Sequence, residues 1–190
     1  MTKNIMIVGV GGQGSLLASK LLGKLLVNEG YDVKVSEVHG MSQRGGSVVT
    51  YVRYGEKVYS PIIDKGEADF IVSFEMLEAA RYAEYLREGG KIIVNTQKID
   101  PMPVVIGAME YPEAALENLM AKGFKIDAVD ALAPAMEAGS PKAVNIVLMG
   151  RLSKSLPISK EAWLSAIAET VAPKFVEMNK KAFLLGRGEK

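Results

Sequence analysis

The chain has 190 residues, 48% of them apolar and 24% charged, enough for one globular domain, residues 1–190, that buries about 70% of its unfolded surface. Its 23 basic and 22 acidic side chains leave a net charge of +1, which supplies no long-range field to draw in nucleic acid or an anionic membrane. The absence of cysteine excludes disulfides, thiolate metal sites, a catalytic thiol and any iron–sulfur cluster held by this chain alone.

Met1-Thr2-Lys3-Asn4 runs straight into a strand pattern without the parts of a signal peptide. No apolar run approaches the roughly 20 residues that cross a bilayer, so a cytoplasmic protein is expected. Ile5 to Val8 is short, continuously apolar and ended by glycine, as a strand buried on both faces should be, and it is expected to be central in its sheet. From Ser15, Leu16, Leu17, Leu21, Leu22, Leu25 and Leu26 recur at helical spacing, and Gly30 suits a left-handed stop. Val33, Val35 and Val38 then suggest a second strand.

Ser47 to Tyr54 is β-branched and aromatic, Gly55-Glu56 makes a turn and Lys57-Val58-Tyr59 continues, so an antiparallel hairpin is expected there. Ala68 to Ser73 is another buried strand, followed by a helix from Glu75 to Arg87 that Gly89-Gly90 would end. Lys91 to Asn95 is the next strand. Pro101 and Pro103 make Thr96 to Tyr111 a loop, with a short strand around Val104-Val105-Ile106. A helix from Pro112 to about Lys122 and a strand from Phe124 to Val129 follow. From Ala131 onward the pattern is helical, with breaks at Gly139-Ser140-Pro141, Leu156-Pro157 and Pro173, a cap at Asp130 and a helix start at Ser159. Strands alternating with helices give an α/β fold: a doubly wound, mostly parallel, Rossmann-like sheet with an antiparallel hairpin and a helical C-terminal third. Ligands of such sheets bind beyond the carboxyl ends of the strands.

Two glycine-rich loops leave that edge. In the first, Gly9, Gly11 and Gly14 satisfy G-x-G-x-x-G between a strand and a helix, where backbone N–H groups can hold a pyrophosphate. Gly12 loosens the turn, and Gln13 offers a side-chain amide to a ligand or a partner chain. The same glycines also serve a tight turn and close helix packing alone. Glu37 stands near the place of a ribose-binding acid, but the chain continues into the second loop instead of the usual turn. That second loop, His39-Gly40-Met41-Ser42-Gln43-Arg44-Gly45-Gly46-Ser47, holds the only histidine. Arg44 sets a guanidinium fork beside Gly45 and Gly46, which let backbone come close, a combination suited to carboxylate or phosphate. Glu75, at the carboxyl edge after Ala68 to Ser73, either faces the cleft or, the favoured reading, is a solvated helix-start acid that favours the dipole, and Trp163 is expected to be packing.

Gly9-Val10-Gly11-Gly12-Gln13-Gly14, together with Glu37-Val38-His39-Gly40-Met41-Ser42-Gln43-Arg44-Gly45-Gly46-Ser47-Val48, resembles the gamma-type subunit of 2-oxoacid:ferredoxin oxidoreductases, and most of all its indolepyruvate-using branch. The resemblance extends over nearly the whole chain, through Ala68-Asp69, Leu86 to Val94 and Asn145 to Gly150. It implies coenzyme A-dependent oxidative decarboxylation of a 2-oxoacid, with indolepyruvate or another arylpyruvate as substrate, to acyl-CoA, carbon dioxide and reduced ferredoxin. It also implies that thiamine diphosphate and iron–sulfur clusters sit on a large partner subunit. This chain would bind neither cofactor nor any metal, would reach ferredoxin only through the complex, and would be inactive alone. His39, Ser42, Gln43 and Arg44 would face the partner's thiamine site, with His39 and Arg44 as catalytic candidates. Gly9 to Gly14 would contact a coenzyme A phosphate or the partner's backbone. A free-standing NAD(P)-binding dehydrogenase and a regulatory module with a degenerate nucleotide loop are the competing expectations.

Overall fold

The computed structural model describes residues 2–37 and 45–189. Six strands form one sheet in the order β2-β3-β1-β4-β5-β6: β1 (Lys3–Val10), β2 (Asp32–Glu37), β3 (Ser47–Gly55), β4 (Ala68–Ser73), β5 (Leu86–Asn95) and β6 (Lys125–Val129). Five strands point the same way. Only β3 runs against its two neighbours, pairing Ile5 with Val52 on one side and Val33 with Tyr54 on the other.

Ile5 to Val8 is fully buried inside the sheet, as its unbroken apolarity requires. Its side chains alternate between two cores: Ile5 and Ile7 face one layer, Met6 and Val8 the other. The first layer holds α1 (Ser15–Asn28), α6 (Val144–Ser153), α7 (Lys160–Thr170) and α8 (Val176–Arg187); the second holds α2 (Met76–Tyr82) and α4 (Ala115–Ala121). The short helices α3 (Met102–Val105) and α5 (Leu132–Ala138) follow β5 and β6 at the carboxyl edge. Trp163 packs on Phe183 at 5.5 Å between ring centres. Ser159 caps α7 by accepting from the Ala162 amide, and Asp130 accepts from the Leu132 amide at the start of α5.

Four expectations change. Lys57-Val58-Tyr59 is not a strand; β3 takes its antiparallel partners from β1 and β2 instead. Polar side chains hold that segment: Asp32 accepts from the Val58 amide at 2.9 Å, and Arg53 donates to the Ser60 and Ile62 carbonyls. The helix from Glu75 stops at Tyr82, a 3-10 turn follows, and β5 begins at Leu86. Gly89-Gly90 lies within β5, where the register to β4 shifts, and a Cβ on Gly90 would stand 3.0 Å from the Ala68 and Asp69 carbonyls. These glycines therefore permit a bulge and a close strand approach, as glycine inside a strand often does. Val104-Val105-Ile106 is a helical turn, not a strand, and the helix expected from Pro112 begins at Ala115.

Candidate functional site

The glycine loop leaves the carboxyl end of β1 and turns into α1 through Gly12 (φ 100°) and Gly14 (φ 88°), a backbone region open chiefly to glycine. Gln13 fixes the turn. Its Oε1 accepts from the Val10 amide at 2.7 Å, and its Nε2 donates to the Phe74 carbonyl at 3.0 Å and to Gln97 Oε1 at 3.2 Å. A Cβ on Gly9 would strike Gln13 Oε1 at 2.9 Å and Phe74 Cβ at 3.0 Å, so Gly9 makes room for this amide. Gly14 makes room for a second one: buried Asn145 donates to the Gly14 carbonyl at 3.1 Å, and a Cβ on Gly14 would come within 2.7 Å of Asn145 Nδ2.

Beside the turn lies a cleft of about 270 Å³ lined by Gly11, Gly12, Gly14, Ser15, Leu16, Glu37, Val48 and Thr50. One wall is the start of α1, whose first amides have no intrahelical acceptor and carry the positive end of the helix dipole. The Glu37 carboxylate also lines the cleft and accepts a hydrogen bond from Ser19 Oγ, one turn along α1. An anionic group fits the helix start, and the Glu37 carboxylate opposes it.

His39, Ser42, Gln43 and Arg44 lie outside the described residues. The end of their loop is described: Gly45 has φ 92°, and the Gly46 carbonyl accepts from the Gly11 amide at 2.9 Å. The two glycine loops therefore meet at the carboxyl edge of the sheet. Ser47, first in β3, donates from Oγ to Glu78, which also pairs with Arg81 at 3.1 Å. Burial pushes the Glu78 carboxyl up, against the lowering effect of Ser47 and Arg81.

Glu75 corrects the expectation of a solvated acid. It is 1% exposed and accepts from the Glu78 amide at 2.9 Å, the Ile99 amide at 3.2 Å and the Tyr111 hydroxyl. Burial and this carboxylate hold the Tyr111 phenol well above its usual range. Asn95 extends the network, donating to the Phe74 carbonyl and accepting from the Ala131 amide. Sequence reasoning misses Glu78, Gln97, Asn95 and Asn145. Only Glu75 and Glu78 carry a usable signal, a side-chain acceptor with a Glu three residues on before a helix, as in a capping box.

Among the described residues no group of three or more His, Cys, Asp or Glu could hold a metal ion, and no helix is long and apolar enough to cross a membrane. The site offers oriented amides, carboxylates and glycine-permitted close approach. That chemistry binds and positions.

Residues 4–189 match the family model described as pyruvate ferredoxin/flavodoxin oxidoreductase. The chain belongs to this family. It is 46% identical to the indolepyruvate oxidoreductase subunit IorB of Thermococcus kodakarensis, over 96% of this chain and 93% of that one. Its identity to the pyruvate/ketoisovalerate oxidoreductases common subunit gamma of the same organism is 29%, over 92% of this chain and 89% of that one. The pyruvate oxidoreductase subunit PORC of Thermotoga maritima shares the fold with a TM-score of 0.73 at 22% identity, covering 99% of this chain and 96% of that one. In the 2-oxoglutarate:ferredoxin oxidoreductase of Magnetococcus marinus the same fold (TM-score 0.71, 19% identity) covers 98% of this chain but 30% of a much longer one. As a member of the pyruvate ferredoxin/flavodoxin oxidoreductase family, the chain is a subunit of a 2-oxoacid:ferredoxin oxidoreductase.

Proposed function

We propose that residues 1–190 act as one gamma-type unit in a cytoplasmic indolepyruvate:ferredoxin oxidoreductase, which converts an arylpyruvate and coenzyme A to acyl-CoA, carbon dioxide and reduced ferredoxin. One observation carries the choice of substrate: 46% identity over nearly the full length to an indolepyruvate oxidoreductase subunit, against 29% to a subunit shared by pyruvate and ketoisovalerate enzymes. Carbanion chemistry and electron uptake belong to thiamine diphosphate and iron–sulfur clusters on a large partner subunit. This chain completes the site.

Within it, the start of α1 at Ser15 and Leu16 takes an anionic group, a coenzyme A phosphate or a partner carboxylate, through the first amides of the helix and the helix dipole. Gln13 and Asn145 hold that helix start in place from behind. Arg44, with a permanent charge and a rigid donor fork, suits a carboxylate or phosphate at the shared mouth.

The test is reconstitution. Co-expressed with the large subunit, the complex should reduce ferredoxin in the presence of indolepyruvate and coenzyme A, while the isolated chain is colourless and inactive. A complex that prefers pyruvate or 2-oxoisovalerate over arylpyruvates by kcat/KM would overturn the substrate assignment.

A further inference from the structure

Between β5 and α4 the chain makes an excursion that ends in a knob. Residues Met102 to Val105 form one helical turn, closed by the Ala108 amide to the Pro103 carbonyl at 2.8 Å and the Gly107 amide to the Val104 carbonyl at 3.0 Å, with Gly107 at φ 73°. This is a Schellman stop. Both ends of the excursion are fastened to one buried carboxylate, since Glu75 accepts from the Ile99 amide and from the Tyr111 hydroxyl. Such a segment is ordered by its own hydrogen bonds before anything touches it.

The knob presents its apolar side chains outward. Met102, Val105, Ile106 and Met109 are 68%, 66%, 69% and 66% exposed. Single exposed apolar residues are ordinary, but four within eight positions, on one helical turn and the stop bonded back to it, are of the kind that marks an interaction site. Methionine is over-represented at such surfaces, and pre-ordering lowers the entropy cost of docking.

Charge narrows the occupant. Lys98 pairs with Glu113 and sits over the Tyr111 ring, so the two acids that flank the knob in sequence, Asp100 and Glu110, give it a net negative charge. Knob against knob in a two-fold dimer would set this charge against itself. An anionic membrane surface is repelled for the same reason.

We infer that this knob inserts into an apolar socket with a basic rim on another subunit of the same oxidoreductase. The inference rests on the assignment of the chain as a subunit. Gln97, at the root of the excursion, accepts from Gln13, which ties that root to the glycine loop.

The experiment uses the co-expressed complex. Ile106→Asp, alone and with Val105→Asp, should leave the melting temperature of the isolated subunit unchanged, because both side chains are exposed, while raising its Kd for the large subunit by at least about 100-fold, or roughly 2.7 kcal/mol. Glu110→Lys should weaken assembly at low salt and less at high salt. Wild-type affinity in the Asp variants would overturn the inference. So would a concentration-dependent dimer of the isolated chain that these variants abolish, which would assign the patch to a second copy. If the wild-type chain itself joins no large subunit, the assignment as a subunit fails first, and the inference with it.

Discussion

The amide of Gly11 donates to the carbonyl of Gly46 at 2.9 Å, joining the turn after β1 to the last residue before β3. Because β3 runs antiparallel to β1, the loop that leaves β2 returns beside the glycine turn instead of crossing the sheet. Among the described residues, the end of the second glycine-rich stretch, Gly45-Gly46, is thus fastened to the first.

Gly14→Ala should be costly twice over. A non-glycine residue in the left-handed region costs about 1–2 kcal/mol, and the added methyl would displace Asn145, whose bond to the Gly14 carbonyl is worth about 1 kcal/mol. Asn145→Ala should lose the second contribution while leaving the first intact. Urea denaturation of both variants would check the order, and an unaffected Gly14→Ala would refute the geometry.

Arg44→Lys keeps the charge and removes the fork. If Arg44 anchors a substrate or coenzyme A group, turnover of the reconstituted complex should fall by about tenfold for each 1.4 kcal/mol of transition-state stabilisation removed. If it only joins the subunits, saturating partner should restore turnover. Steady-state rates across partner concentrations separate the two, and wild-type rates with wild-type assembly would rule out both.

NAD and NADP should not bind tightly. The acid at the end of β2, Glu37, is engaged by Ser19 Oγ, and the sequence after it runs into a glycine-rich stretch instead of the usual ribose-side turn. Calorimetry giving a micromolar Kd for either dinucleotide would favour a free-standing dehydrogenase over the oxoacid enzyme.

Two carboxylates should respond to pH in opposite senses. Glu78 has a raised folded-state pKa, caused first by burial, so its destabilising effect is absent below the ordinary glutamate value and grows as pH rises through the raised one. Glu78→Gln should therefore gain stability relative to wild type on going from acid to neutral pH. For Asp127, burial pushes upward, but hydrogen bonds from Arg151 and Lys91 together overcome it and leave the pKa lowered. Its contribution is present above the ordinary aspartate value and is lost as pH falls through the lowered one, so Asp127→Asn should cost stability at neutral pH and little in strong acid. Thermal melts of the three proteins between pH 2 and 8 would show these slopes, and parallel curves would contradict them.

Much of this is legible in the residues. Ile5 to Val8 announces an interior strand because both of its faces are covered, and Ser159 announces α7 because a hydroxyl before an apolar-periodic run satisfies a free amide. Two of the departures share one cause, long-range contacts that override local signals. Gly89-Gly90 has the composition of a helix stop, yet β4 passes so close that only glycine fits there. Lys57 to Tyr59 alternates like a strand, yet Asp32 and Arg53 hold the segment through side chains. At the candidate site the glycines are visible from their spacing, whereas the amides of Asn95 and Asn145 reach it from distant parts of the chain and leave no local pattern. Glu75 reads as solvated because its donors, Ile99 and Tyr111, belong to a loop whose return no local signal marks.

Helices α6 and α8 meet backbone to backbone: a Cβ on Gly150 would lie 2.2 Å from the Phe183 carbonyl, and one on Gly186 would lie 2.1 Å from that of Val147. Helix α6 covers part of the sheet face that includes Ile5 and Ile7, beside α1, and α8 closes over α6, yet both α6 and α8 are synthesised after every strand. While the chain is still on the ribosome, the part of that face under α6 stands bare, with completed strands and only α1 beside it, until Val144–Ser153 has left the exit tunnel. Exposed strand surface of this kind is what chaperones bind and what aggregates when they do not. The yield of this subunit in a foreign host should therefore depend more on translation rate and chaperone supply than on the stability of the finished fold.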